Sequence, residues 1–485
     1  VTTATSPARP TPAARGGDDE ALLVSMYEKQ AKIYPRAVGG VFARWRWAMV
    51  WLTQLVFYGL PWLQWNGRQA VLFDLVERRF HLFGLLLWPQ DLVYLAALLV
   101  ISALVLFFFT AVAGRLWCGY ACPQTVYTEI FLWLERVTEG DRQARMKLDA
   151  APWSARKALR KGGKHALWGL LSLFTGFTFV GYFTPIRELA PATLQFGLGP
   201  WETFWILFYA FATYGNAGWM REQICKYMCP YARFQSTLID QDSLIIAYDT
   251  TRGDPRGSRS RRADPKALGL GDCVDCTLCV QVCPTGIDIR NGLQNECIGC
   301  AACIDVCDDV MGKMGYAPGL IRYATARGLA AGGDWRQMFA RLGRPRVWIY
   351  GALLLATSAA FVAGLAARAP FAVDVIRDRG ALARPGELGG FENSYQLRLI
   401  NRTEQAQAYR ITVEGLPNLE VLQGDRAATT AAGIGHTGVR LLLPPADVAA
   451  VAPGAHPVTF VVRAVDDDER TVATVREAST FFVPR

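Results

Sequence analysis

No cysteine precedes position 118 and none follows position 307. All twelve lie between these limits, which argues against a disulfide-stapled secreted domain at the C-terminal end. The first residues lack an apolar core of the signal-peptide kind. Their Thr, Ala, Pro and Arg content instead predicts a disordered tail over 1–40. Histidine is scarce, at four in 485 residues. His436 and His456 alone stand in the C-terminal stretch, so docking or spacing is expected there, not chemistry. No nucleotide-binding fingerprint and no flavin motif is visible.

What the chain does contain is an uneven mixture. It is 52% apolar, with 15 Trp and 25 Phe, yet it carries 51 Lys and Arg and a net charge of +9. Such a charge can signal nucleic-acid binding. Here the basic residues cluster in loops beside hydrophobic stretches, as anionic lipid and membrane topology favour, so a membrane and no nucleic acid is the expected partner. The length suits about three domains.

The cysteines carry the chemistry. Cys273, Cys276, Cys279 and Cys283 form one C-x2-C-x2-C-x3-C run, and Cys297, Cys300, Cys303 and Cys307 form a second. This spacing wraps a cubane iron–sulfur cluster, the fourth cysteine of each run serving the other cluster. One 4Fe-4S cluster is therefore assigned to Cys273, Cys276, Cys279 and Cys307, and a second to Cys297, Cys300, Cys303 and Cys283. Zinc knuckles would use separated C-x2-C pairs, not four-cysteine runs. Asp308 stands where the motif usually has proline, which leaves the ligand Cys307 in place.

Two further pairs repeat a pattern. Cys118-Gly-Tyr-Ala-Cys122-Pro123 and Cys225-Lys-Tyr-Met-Cys229-Pro230 each follow an apolar stretch, an internal repeat that points to a duplicated membrane unit. If locally helical, each pair shares one face, and each proline opens the next helix. Arg115, Arg221 and Lys226 are expected to favour thiolate. The four thiols could ligate a metal cluster, hold Cu(I) or cycle as dithiols, and the alternative is close helix packing on small residues. Met220 and Met228 flank the second pair as candidate thioether ligands.

Five stretches have close to the ~20 apolar residues that cross hydrocarbon: about 47–65, 92–113, 166–183, 201–219 and 347–366. Pro61 is expected to kink the first. Residues 66–90 are too charged to span and are expected to form an interfacial connection. His81 within it is weighed as a metal or quinone ligand against simple packing. The loop 114–164 holds ten Lys/Arg and the loop 184–200 only Arg187, so the first is cytoplasmic and the second periplasmic. The expected fold is a multi-domain integral membrane protein. Residues 41–250 form a four-helix transmembrane region and 251–345 a cytoplasmic ferredoxin-type domain, entered through a linker at 252–266. Residues 346–367 form a fifth span and 368–485 a periplasmic β-sandwich, read from alternating apolar positions between Gly/Pro/Asn turns.

With these motifs in place the chain resembles the CcoG family, also called FixG or RdxA, accessory proteins in the assembly of cbb(3)-type cytochrome c oxidase. The likeness includes Val71-Leu72-Phe73-Asp74, Leu87-Trp88-Pro89-Gln90-Asp91, both cysteine–proline pairs, the ferredoxin run and Gly319-Leu320-Ile321-Arg322-Tyr323. It implies a cupric reductase in a bacterial inner membrane, with copper as substrate, Cys118, Cys122, Cys225 and Cys229 as the functional thiols, and an immunoglobulin-like C-terminal domain. Implied partners are oxidase assembly factors or a copper chaperone and an unidentified electron donor. Two other readings stay open: a quinol-linked electron-transfer polyferredoxin subunit, and a non-redox assembly scaffold.

Overall fold

In the computed structural model, residues 32–330, 343–378, 380, 382–386, 389–466 and 468–484 are described. Most of the tail expected at 1–40 lies outside them. The first helix, α1 (Val41–Gly59), stops earlier than its apolar stretch does. Pro61 sits in a single tight turn, Leu60–Trp62, and a short hairpin follows at once, so proline ends this helix and does not kink it.

The helix α2 (Leu92–Ala113) coincides with its apolar stretch. After it the chain was expected to loop, yet it folds into α3 (Leu116–Tyr120), α4 (Pro123–Glu139) and α5 (Arg142–Ala150). Then come α6 (Ala155–Val180), α7 (Ile186–Leu194), α8 (Pro200–Thr213) and α9 (Pro230–Leu238). The first turns of α6 are basic and its apolar part begins near Ala166. Large apolar side chains stand exposed on the outer faces, among them Trp51 and Leu55 on α1, Leu170 on α6, and Trp201 and Phe211 on α8. Apolar faces of this extent mark contact with lipid or protein.

Several basic residues of 114–164 are not free surface charges. Glu135, almost fully buried, takes Arg145 at 2.7 Å and Arg221 at 2.6 Å, and Glu139 takes Lys161 at 3.0 Å and Lys164 at 3.2 Å. Burial alone would raise the Glu135 carboxyl, but Arg221 and Arg145 outweigh it and hold it below its usual range. Removing one partner of such a buried pair leaves an uncompensated charge, and that fixes α4, α5 and α6 to one another.

The cysteine-rich unit is built on two antiparallel strands, β6 (Ile245–Tyr248) and β7 (Ile321–Ala324), with α10 (Leu278–Gln281) and α11 (Ala302–Met314). Ile246, Ile289, Ile304, Met311 and Leu320 form its core. Residues 252–266 were expected to be a linker. They are instead tied to the cysteines: Gly257 N donates to the Cys273 carbonyl at 3.3 Å, Asp272 N to the Arg252 carbonyl at 2.9 Å, and Arg252 pairs with Asp272. Arginines that read as linker composition find carbonyl and carboxylate partners.

The second long apolar helix, α12 (Pro345–Ala366), packs beside α2. Arg344 donates to the Ala111 carbonyl at 2.8 Å and Tyr94 to the Gly364 carbonyl at 3.0 Å, so the two run antiparallel. Among the described residues these are the two helices that are long and apolar enough to cross a membrane. Each has 22 residues, about 33 Å of rise.

Beyond α12 two antiparallel sheets stack face to face. One has the order β12 (Glu420–Gln423), β14 (Ile434–Leu443), β10 (Phe391–Asn401), β8 (Phe371–Arg377), with β9 (Arg384–Pro385) beside β10. The other runs β13 (Arg426–Thr429), β11 (Gln407–Glu414), β15 (Gly454–Val465), β16 (Thr471–Val483). Alternate residues such as Tyr395, Leu397 and Leu399 point inward onto Phe460 and Phe481. The expected interfacial connection at 66–90 is folded into strands: β2 (Arg68–Gln69), paired with β1 (Gln64–Trp65) just before it, and the meander β3 (Val71–Asp74), β4 (Arg79–Leu82), β5 (Leu85–Leu87). Leu86 and Trp88 pack on Ile400, Arg68 pairs with Glu404, and the buried Asp91 lies between Arg368 and Arg402. The sandwich therefore stands at the Leu92 end of α2, and the cysteine-rich unit at the Ala113 end.

Candidate metal centres

The two cysteine runs fold alike. The positions between their first three cysteines adopt left-handed backbone at matching sites: Asp275 and Thr277 in one run, Gly299 and Ala301 in the other. Three of these four are not glycine, and such residues resist this region. Left-handed residues alternating with right-handed ones turn successive N–H groups toward a common point, a concavity suited to an anionic group such as an iron–sulfur cluster. The cavities lie where the spacing predicts. Cys273, Cys276, Cys279 and Cys307 line one, and Cys283, Cys297, Cys300 and Cys303 line the other, with Cys279 reaching the second as well. All eight residues are brought together in the expected two sets, and the donor set of each is four sulfurs around one small enclosed space, which fits a 4Fe-4S cluster.

Burial pushes the Cys279, Cys297 and Cys307 thiols up to about 12 and Cys300 to about 11. Burial thus disfavours the thiolate at these four cysteines, and ligation must displace their protons.

The second constellation is assembled from two matching turns. Cys118 lies in α3, which ends at once, and Cys122 is extended before Pro123, the first residue of α4. Cys225 lies in a wide helical turn, Ile224–Met228, and Cys229 is extended before Pro230, the first residue of α9. In both, the amide of the second cysteine closes a five-residue bond: Cys122 N to the Trp117 carbonyl at 3.0 Å, and Cys229 N to the Ile224 carbonyl at 2.8 Å. The prolines open helices as expected. The shared helical face does not form, because each second cysteine has left the helix of the first.

Burial and neighbouring thiols raise Cys118, Cys122 and Cys225. Burial first, then Cys122, pushes Cys118 up to about 12, and burial with Cys122 and Cys229 pushes Cys225 up to about 11. Arg115 lowers both thiols as expected, but burial outweighs it; Arg115 also donates to the Cys297 and Ala232 carbonyls, and Arg221 pairs with Glu135. Cys118 Sγ lies 3.2 Å from Gln235 Oε1. Among the described residues no three His, Cys, Asp or Glu side chains converge closely enough for a single ion. That is equally true of the ferredoxin-type sets, whose sulfurs surround a wider space. Met228 is 58% exposed.

These thiols adjoin the second cysteine set. A Cβ on Gly119 would lie 2.8 Å from the Gly299 carbonyl carbon and 2.9 Å from Cys300 Cα, so the backbones touch and only glycine fits. Tyr323 donates to the Gly299 carbonyl at 2.7 Å and its hydroxyl meets Tyr120 at 3.3 Å. Arg46 of α1 donates to the Cys300 carbonyl at 2.7 Å, and one polar cavity is lined by both Cys225 and Cys300. Sequence reasoning missed Arg46, Tyr120 and Asp305. Asp305, between Cys303 and Cys307, accepts from Phe42 N at 3.1 Å and Ala43 N at 2.7 Å and so caps α1. No spacing rule links residues so far apart.

His81 stands elsewhere. It is buried in β4 among the strands beside the sandwich, at the opposite end of α2 from the thiols, and its Nδ1 has no hydrogen-bond partner. Burial and Arg68 push it down to about 4.

Known families match three regions. A "4Fe-4S dicluster domain" model covers residues 220–326, a "4Fe-4S binding domain" model covers 95–138, and a model of the "IG-like fold at C-terminal of FixG" covers 361–484. "Nitrogen fixation protein FixG" of Rhizobium meliloti (strain 1021) is 38% identical over 427 residues, 81% of this chain and 81% of its own. "Protein RdxA" of Cereibacter sphaeroides is 38% identical over 434 residues, 86% of this chain and 90% of its own. A crystal structure of a FixG-related protein from Vibrio parahaemolyticus overlays 24% of this chain and 97% of its own at 24% identity, with a TM-score of 0.20. Relatives that similar along four-fifths of the sequence, with the family's own C-terminal domain, leave one assignment: the chain belongs to the CcoG family, also called FixG or RdxA, of iron–sulfur electron-transfer proteins.

Proposed function

We propose that this protein is a membrane-bound cupric reductase, converting Cu(II) to Cu(I) for the assembly of cbb(3)-type cytochrome c oxidase. Cys273, Cys276, Cys279 and Cys307 hold one 4Fe-4S cluster, and Cys283, Cys297, Cys300 and Cys303 a second. Such clusters, when bound, accept and release one electron at a time. Cys118, Cys122, Cys225 and Cys229 form a third metal centre and the place where copper is reduced. Each Cu(II) takes one electron and leaves as Cu(I), the state that soft thiolate prefers. The Cu(I) passes to a copper chaperone or assembly factor.

The observation that carries this reading is the backbone contact of Gly119 with Gly299 and Cys300. It brings the membrane-proximal thiols against the second ferredoxin-type set, so the two are one electron-transfer unit. The 4Fe-4S family model over 95–138, which includes Cys118 and Cys122, supports a metal role for the paired thiols. Five spans are proposed on α1, α2, α6, α8 and α12, with the cysteine-rich unit cytoplasmic and the sandwich periplasmic. The basic composition of 114–164 and the position of the two soluble units at opposite ends of α2 support this orientation.

The test uses anaerobic, dithionite-reduced and desalted protein mixed with Cu(II) and a Cu(I)-specific chelator, with the iron–sulfur absorbance followed alongside. Cu(I) is expected to appear as the absorbance returns. The double variant Cys122→Ser/Cys229→Ser should lose this while keeping most of its ferredoxin-type iron. Undiminished copper reduction in that variant would sink the thiol site.

A further inference from the structure

Two buried arginines stand against the second cysteine set. Arg46, near the start of α1, is 6% exposed, and Arg115, in the turn between α2 and α3, is 9% exposed. Arg46 Nη1 donates to the Cys300 carbonyl at 2.7 Å, and Arg115 Nη1 to the Cys297 carbonyl at 3.3 Å. In each, Nε is buried and has no hydrogen-bond acceptor. Among the described residues the partners of both guanidinium groups are backbone carbonyls, not carboxylates. The acids facing Arg46 do not pair with it. Asp305 gives its two oxygens to the amides of Phe42 and Ala43, and Glu129 only shares the polar cavity. Carbonyl dipoles offset a full charge in part, and a buried charge needs a counter-charge. A 4Fe-4S group held by four thiolates is anionic, and both arginines touch residues that would hold one.

The first set has different surroundings. Arg290 lines its cavity but is paired with Asp288 at 2.7 Å and with Asp275, so two carboxylates more than cancel it. Arg259 reaches the Cys273 carbonyl at 3.3 Å, yet it is only half-buried, where water screens its charge. Cys276 is exposed. We infer that Arg46 and Arg115 raise the reduction potential of the second cluster above that of the first, and so draw the electron to the side of the unit that touches Gly119 and the paired thiols. The inference rests on the two cysteine sets holding 4Fe-4S clusters; it does not require copper to be the acceptor.

Net charge, hydrogen bonding and solvent exposure set the potential of such a cluster. Reduction adds one negative charge, and an unpaired cation in a water-poor setting stabilises it strongly. Water at Cys276 acts the other way, because it favours the reduced state of the first cluster. That exposure is confined to one of four sulfurs, whereas Arg46 and Arg115 are two unscreened charges within hydrogen-bond reach of ligand residues, and the charges win. The step is balanced within the protein: one electron leaves the first cluster, the second takes it up, no bond breaks and no proton moves.

The experiment uses the full chain with its iron–sulfur complement in phosphatidylcholine/phosphatidylglycerol nanodiscs, titrated anaerobically with dithionite and followed by EPR of the reduced clusters. Cys276→Ser alters a ligand of the first cluster alone and so identifies its signal. The other signal should appear first on reduction of the wild type. Arg46→Gln should lower the midpoint of that second signal by about tenfold in the one-electron equilibrium, or 59 mV, and leave the first in place. Arg46→Lys, which keeps the charge, should restore most of the shift. Arg115→Gln should move the same signal in the same direction, an independent reading should Arg46→Gln load poorly. A second cluster reduced after the first in the wild type would overturn the inference. So would Arg46→Gln and Arg115→Gln variants that leave its midpoint unmoved or move both signals equally, or an Arg46→Lys shift as large as that of Arg46→Gln. Two signals with unmoved midpoints would leave the cluster assignment standing while this inference falls; a wild type with fewer than two would sink the assignment and the inference together.

Discussion

At the scale of single residues, Asp305 does the most with one side chain. It lies inside the second cysteine run and its two oxygens take the first free amides of α1. A helix N-terminus favours a carboxylate there. Asp305→Ala should cost roughly 1–3 kcal/mol, and Asp305→Asn less, because one acceptor remains. Limited proteolysis around residues 36–46 measures it: cleavage should speed up in the alanine variant with the iron content unchanged, and equal rates would show that the cap does not hold α1 down. The cysteines themselves were readable, since cubane spacing is a local rule and both runs satisfy it. Their protonation was not. Arg115 and Arg221 stand near the paired thiols in sequence, yet their guanidinium groups are spent on backbone carbonyls and on Glu135. Sequence proximity says where a charge is, not what it pairs with.

At the scale of elements, α2, α12 and the outline of the sandwich follow from length, hydropathy and alternation. The strands at 64–87 do not, because runs of two to four residues carry too little periodicity, and their register depends on the sandwich that covers them. His81 in that meander gives the junction a pH response. Its folded value near 4 is depressed from 6.5 by burial and by Arg68, so the unfolded chain takes up the proton first. The contribution is complete above pH 6.5 and is lost as pH falls from there towards 4. Thermal midpoints recorded across that window should fall more steeply for the wild type than for His81→Gln. Parallel curves would assign the acid sensitivity to other groups. The segment 252–266 repeats the lesson in the opposite sense: linker-like in composition, it is bound because Arg252 and the Gly257 amide find partners on the cysteine-rich unit.

At the scale of the molecule, the cysteine-rich unit and the sandwich lie at opposite ends of the α2–α12 pair. Two engineered thiols should separate them. Val472→Cys, in the exposed edge of β16, should react with a membrane-impermeant maleimide in intact spheroplasts, and Arg262→Cys only after lysis. The reverse pattern would invert the orientation. The division into helical, cysteine-rich and sandwich parts could be read from composition and motif. The way they join could not, because the joining contacts of Asp91, Asp305 and Gly119 link residues 180 or more positions apart. The cap on α1 has a consequence in time. The amides of Phe42 and Ala43 are made 263 and 262 residues before their acceptor. While those residues are made, α1 waits with its leading end unsealed, and it locks only once the stretch bearing the last four cysteines has turned back upon it. A chain that stalls before residue 305 therefore leaves the ribosome with α1 unfastened.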